Sequence, residues 1–94
     1  MQAFLVGADQ LGNIPQTLAQ HGIQIERHVS GRRIAHQRTP DSVGSSDLVI
    51  LFTDFLGHNV MKQYRSAAAK NNTLFIACRR STTALNEALS RLGL

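Results

Sequence analysis

The sequence predicts a three-layer α/β domain built on a short, four-stranded parallel sheet with three helices. Two observations carry this. Leu48-Val49-Ile50-Leu51-Phe52 is an unbroken apolar run, the pattern of a central strand buried on both faces. Around it, short apolar runs alternate with segments of helical periodicity. Strands separated by helices must cross over and lie parallel. Right-handed crossovers then give the sheet order 2-1-3-4. Ninety-four residues suffice for one domain, residues 1–94, with a modest core.

The elements follow in order. Ala3 to Val6 is an apolar run ending in Gly7, the first strand. Gly7 to Pro15 forms a glycine-containing loop. Asn13 is placed to cap the first helix, and Pro15 is tolerated in a first turn, where its missing N–H needs no partner. Leu11, Ile14 and Leu18 share one face, and Gly22 ends the helix in a left-handed cap. Ile23 and Ile25, extending to His28 or Val29, form a second strand with Gln24 and Glu26 facing outward, the alternation of an edge strand. The third strand is Leu48–Phe52. Val60, Met61, Tyr64, Ala67 and Ala68 make the stripe of the second helix, closed by Asn71-Asn72. Thr73 to Ala77 is the fourth strand. Ser81 or Thr82 caps the third helix, with Leu85, Ala88, Leu89 and Leu92 on one face. The arrangement is flavodoxin-like, cut short.

The connection from Ser30 to Ser46 contains Pro40, Gly44 and several serines, which argue against a helix. A loop this long is unusual in a compact domain. Without a helix there, one sheet face over strands one and three should be thinly covered. Open apolar surface marks an interface, so a homodimer or higher homo-oligomer is expected.

Composition excludes several classes. No apolar run approaches the roughly 18 residues of a membrane helix. The start lacks the basic region of a signal peptide, so the expected compartment is cytoplasmic. The single cysteine, Cys78, allows neither an internal disulfide nor a cysteine-only metal site. The net charge is +4, with Arg27, Arg32, Arg33 and Arg38 close together. No aromatic residue interleaves with them, so a nucleic-acid stacking platform is unsupported.

The polar residues converge at the strand ends. Ligands of open α/β sheets bind outside the carboxyl ends of the strands, at the point where strand order reverses. That point lies between strands one and three. The Asp9–Asn13 loop should therefore face the Thr53–His58 loop, with His28 and Arg32-Arg33 after strand two and Cys78-Arg79-Arg80-Ser81 after strand four. Three chemistries compete there. Helix starts with Arg32 and Arg79 would hold phosphate or carboxylate, although the glycine loop matches neither dinucleotide nor P-loop spacing. His28 and His58, with Cys78 and Met61 as softer donors, would hold a metal or haem. Asp54 at the end of strand three resembles a phospho-acceptor, but the acidic pair and lysine of receiver domains are lacking. No nucleophile elbow, zinc-protease motif or paired carboxylates point to hydrolysis. Each residue also has an ordinary role open to it: Asp9 and Asp54 as helix caps, His58 as a first-turn hydrogen bonder, Cys78 as a small buried apolar group.

The segments Gly7-Ala8-Asp9-Gln10-Leu11-Gly12-Asn13-Ile14-Pro15, His28-Val29-Ser30-Gly31-Arg32, Asp47-Leu48-Val49-Ile50 and Thr53-Asp54-Phe55-Leu56-Gly57-His58-Asn59 resemble the bacterial domain-of-unknown-function family 2325 over nearly the whole chain. The resemblance implies a small α/β domain with recurring polar positions at Asp9, Gly12, Asn13, His28, Gly31, Arg32, Thr53, Asp54, His58 and Asn59. It departs at Arg33 to Arg38, where the family is lysine-rich, and at Cys78, near which the family carries serine. It also tips the choice of ligand toward haem.

The sequence thus leads to a non-enzymatic, homo-oligomeric ligand-binding or sensor protein. Haem or a transition metal would be held by His28 or His58, with Asp9, Asn13, Arg32, Arg33, Thr53, Asp54 and Asn59 around the cofactor. Arg32 and Arg33 would pair with its carboxylates, and Thr53 or Asp54 would orient the ligating imidazole. The alternatives are an anion- or nucleotide-responsive module using the same pocket, and an interaction module with no ligand.

Overall fold

The computed structural model describes residues 1–30, 43, 45–54 and 56–94. Strands β1 (Gln2–Val6), β2 (Gln24–Val29), β3 (Leu48–Phe52) and β4 (Leu74–Cys78) form one sheet in the order β2-β1-β3-β4. All three pairings are parallel. Helices α1 (Ile14–Gln20), α2 (His58–Lys70) and α3 (Thr82–Arg91) cover it. The predicted strand order is the observed one; most of the connection from Ser30 to Ser46, expected to lack a helix, lies outside the described residues.

Period-two alternation sends side chains of each central strand to opposite faces. Ala3, Leu5, Leu48, Ile50 and Phe52 pack against α1 and α3 through Leu18, Leu85 and Leu89. Phe4, Val6, Val49 and Leu51 pack against α2 through Tyr64 and Ala68, with Val43 among them. Every residue of β3 is fully buried, because the strand is sandwiched between both layers.

The second face corrects an expectation. It is not thinly covered over β1 and β3: Phe4 is 2% exposed, and Val6, Val49 and Leu51 are 0% exposed. The Tyr64 ring lies against Phe4 with centroids 6.0 Å apart, and Val43 completes the patch. The open apolar face from which self-association was argued is therefore not found among the described residues.

The three described helices close the same way. A left-handed residue follows each: Gly22 at φ +71°, Asn72 at φ +53° and Gly93 at φ +76°. The next amide reaches back five residues in each case, from Ile23 to the Leu18 carbonyl, Thr73 to Ala68 and Leu94 to Leu89. These are Schellman closures, which satisfy orphan carbonyls at a helix end. The last one changes the predicted face of α3. Leu92 is 42% exposed, because the chain turns at Gly93 and folds Leu94 back onto the core in its place.

Strand β2 carries an irregularity. Ala3 pairs with Ile25, but Phe4 pairs with Arg27, so Glu26 is an extra residue. Such a bulge re-aims the side chains beyond it. The Glu26 carboxylate accepts hydrogen bonds from the Ser45 and Ser46 hydroxyls, which ties the start of β3 to the edge strand. Beyond the bulge, Val29 enters the second core and His28 points toward the β1–α1 turn, where its ring reaches two carbonyls.

Candidate functional site

The carboxyl edge of the sheet is built from three turns. The first follows β1. Gly7 has φ +95°, and a Cβ there would stand 2.9 Å from the Phe52 carbonyl oxygen. Only glycine allows β1 and β3 to end so close together. Ala8 follows at φ +63°, a left-handed conformation that costs a non-glycine residue roughly 1–2 kcal/mol. Asp9 and Gln10 come next and are exposed.

The second turn follows β3. The Thr53 amide donates to the Cys78 carbonyl, which extends the β3–β4 ladder by one bond. Asp54 Oδ1 accepts the backbone N–H of Arg80 at 2.5 Å. The third turn follows β4 and leads into α3, where Ser81 Oγ accepts the Ala84 amide at 3.2 Å, the N-cap bond expected of serine.

Two hollows meet at Asp54 and Arg80. One of about 400 Å³ is lined by Ala8, Asp9, Gln10, Asp54 and Arg80. The other, of about 370 Å³, is lined by Asp54, Arg79, Arg80, Ser81, Thr83, Ala84 and Glu87. The Arg80 guanidinium also overhangs the first turn, since a methyl group added at Gly12 would lie 3.8 Å from its Nη1. The crevice is thus walled by all three turns. Its charges are mixed: two arginines face Asp9, Asp54 and Glu87.

Of the residues predicted for the site, Asp9 and Asp54 share one hollow. Asn13 stands at the N-cap of α1, but its side chain makes no capping bond. Its carbonyl instead accepts the Thr17 amide and hydroxyl. Asn13, Thr53, His58 and Asn59 lie outside the lining of both hollows. Arg32 and Arg33 lie outside the described residues. Arg80, Ser81, Gln10 and Glu87 were missing from the predicted contact set. The signal for Arg80 was its place directly after β4, in the same row of strand ends as Asp54.

The donor set bears on the haem or metal expectation. His28 Nε2 lies 2.9 Å from the carbonyl oxygens of both Gly7 and Ala8. Carbonyls only accept, so Nε2 carries a proton and is engaged. His58 is exposed at the first residue of α2. Burial pushes the Cys78 thiol up to about 11, with the Asp54 carboxylate adding and Arg91 opposing. Cys78 is a neutral thiol near pH 7, not a ready thiolate ligand. Among the described residues no group of three or more His, Cys, Asp and Glu side chains is placed to hold a metal ion. Six of the seven residues lining one hollow and four of the five lining the other are polar or charged types.

A family model described as an uncharacterized protein conserved in bacteria matches residues 2–92. The chain belongs to the bacterial domain-of-unknown-function family 2325. The match spans every strand and helix of this family-2325 domain, including all three crevice turns. No curated protein and no solved structure matches the chain. No described helix is long and apolar enough to cross a membrane.

Proposed function

We propose that this family-2325 domain is a non-enzymatic binding module for a small molecule that carries both an anionic group and hydrogen-bond donors, as nucleotides and amino acids do. The observation that supports this reading most is Arg80. It lines both hollows and overhangs the β1–α1 turn, at the point where open α/β sheets take their ligands. Arg79 and Arg80 beside the start of α3 suit a phosphate or carboxylate. Asp9 and Asp54 would repel a bare anion, but they accept from the hydroxyls or amine of a larger ligand.

The test is a thermal-shift and calorimetric panel of inorganic phosphate, ribonucleotides and amino acids. A fitting ligand at a hundred times its Kd stabilises the protein by about 2.7 kcal/mol. Arg80→Ala should abolish the response, and phosphate alone should bind more weakly than the ligand that contains it. A panel with no response defeats the reading. In that case, a Soret band surviving gel filtration would point to haem, and bound transition metal to a metal centre. A change of assembly alone in Asp54→Ala would point to an interaction module.

A further inference from the structure

We infer that His28 is a positioning residue that holds the crevice wall through its Nε2–H. The β1–α1 turn contains two consecutive residues at positive φ, Gly7 and Ala8. A left-handed alanine persists only where its surroundings hold it. Part of that hold is visible. The Gly7 amide donates to the Val29 carbonyl at 2.9 Å. The His28 ring, one residue earlier on β2, donates Nε2–H to the Gly7 and Ala8 carbonyls at 2.9 Å each. Two carbonyls that the turn removes from the strand ladder thereby find one donor. The bulge at Glu26 sets the phase of β2 that brings the ring there.

The turn so held carries Ala8, Asp9 and Gln10, one side of the larger hollow. His28 itself does not line it, so it acts on a ligand through the turn. This part of the inference rests on the crevice being the binding site. The placement of His28 does not. It also makes Nε2 unavailable to a metal unless both carbonyl bonds break, leaving only Nδ1 as a donor.

Long-range proton–nitrogen NMR of the wild-type ring at mildly alkaline pH decides the tautomer. A protonated Nε2 and a bare Nδ1 are expected; a protonated Nδ1 with a bare Nε2 overturns the assignment. His28→Ala should speed exchange of the Gly7 amide roughly fivefold to tenfold, the equivalent of one lost hydrogen bond. His28→Gln places an amide NH2 where Nε2 stood and should restore most of the protection. Equal protection in all three proteins overturns the inference. If a nucleotide or amino acid binds the wild type, His28→Ala should weaken it by a similar factor and His28→Gln should recover it. If none binds, the tautomer and exchange results still judge His28, and only the binding proposal falls.

Discussion

Asp54 Oδ1 accepts the backbone N–H of Arg80, so the carboxylate after β3 fixes the turn after β4. The bond links neighbouring strands at the edge where the sheet ends and α3 begins. It also sets the starting point of the Arg80 side chain, which then reaches the β1–α1 turn. Losing a charge-assisted bond of this kind costs about 1.5–3 kcal/mol when well shielded, and Asp54 is half-buried. Asp54→Ala should therefore lower stability by about 1–2 kcal/mol in urea denaturation. An unchanged midpoint would show that the turn holds without Asp54.

Gly7 and Gly57 form a contrasting pair. At Gly7 a side chain meets both a left-handed backbone and the Phe52 carbonyl at 2.9 Å. Gly7→Ala should cost at least about 2 kcal/mol. Gly57 caps α2 with extended backbone, makes no side-chain cap, and has open space where a Cβ would go. Gly57→Ser should be neutral or gain a few tenths of a kcal/mol. Calorimetric melting of both variants checks the pair. Equal losses would contradict the geometry.

The two ends of the α3 stripe should also differ. Leu85 is fully buried against the sheet, whereas Leu92 is 42% exposed. Leu85→Ala should cost about 2–5 kcal/mol, and Leu92→Ala within about 0.5 kcal/mol. A large loss at Leu92 would mean that its apolar surface is covered in solution, for instance by a second copy of the chain.

Cys78 gives a pH signature. Its thiol stands near 11 in the folded protein against 9.0 ordinarily. The unfolded chain therefore loses the proton first. The contribution of Cys78 to stability is intact below pH 9 and declines as pH rises from about 9 toward 11. At pH 8 the folded protein should hold roughly a hundredfold less thiolate than the unfolded chain, and iodoacetamide should label it correspondingly slowly. Labelling as fast in buffer as in denaturant would refute the raised value. Cys78→Ala should remove this part of the alkaline slope in stability.

Much of the fold was legible because local patterns dictate it. Five apolar residues in a row announced β3, and Gly22 and Asn72 announced helix ends that only left-handed residues close well. The site was legible as a place rather than as a set of contacts. Asp9 and Asp54 were correctly put on facing turns. Arg80 was not distinguished from Arg32 or Arg33, since an arginine beside a strand end looks the same in sequence wherever its side chain goes. His28 stands in the sequence as a ligand candidate, and nothing there shows that two carbonyls lie 2.9 Å from its ring.

The order of the described elements, the parallel sheet, the order 2-1-3-4 and the edge at which polar groups gather can all be read along the chain. These follow from periodicity, turn chemistry and the handedness of crossovers, all written along the chain. Which side chains share the crevice, which sheet face is covered and which groups the His28 ring reaches emerge only when the strands and turns come together. Those outcomes depend on register and on close approach between distant turns. One extra residue at Glu26 shifts the phase of β2, and one missing Cβ at Gly7 lets β1 meet the end of β3.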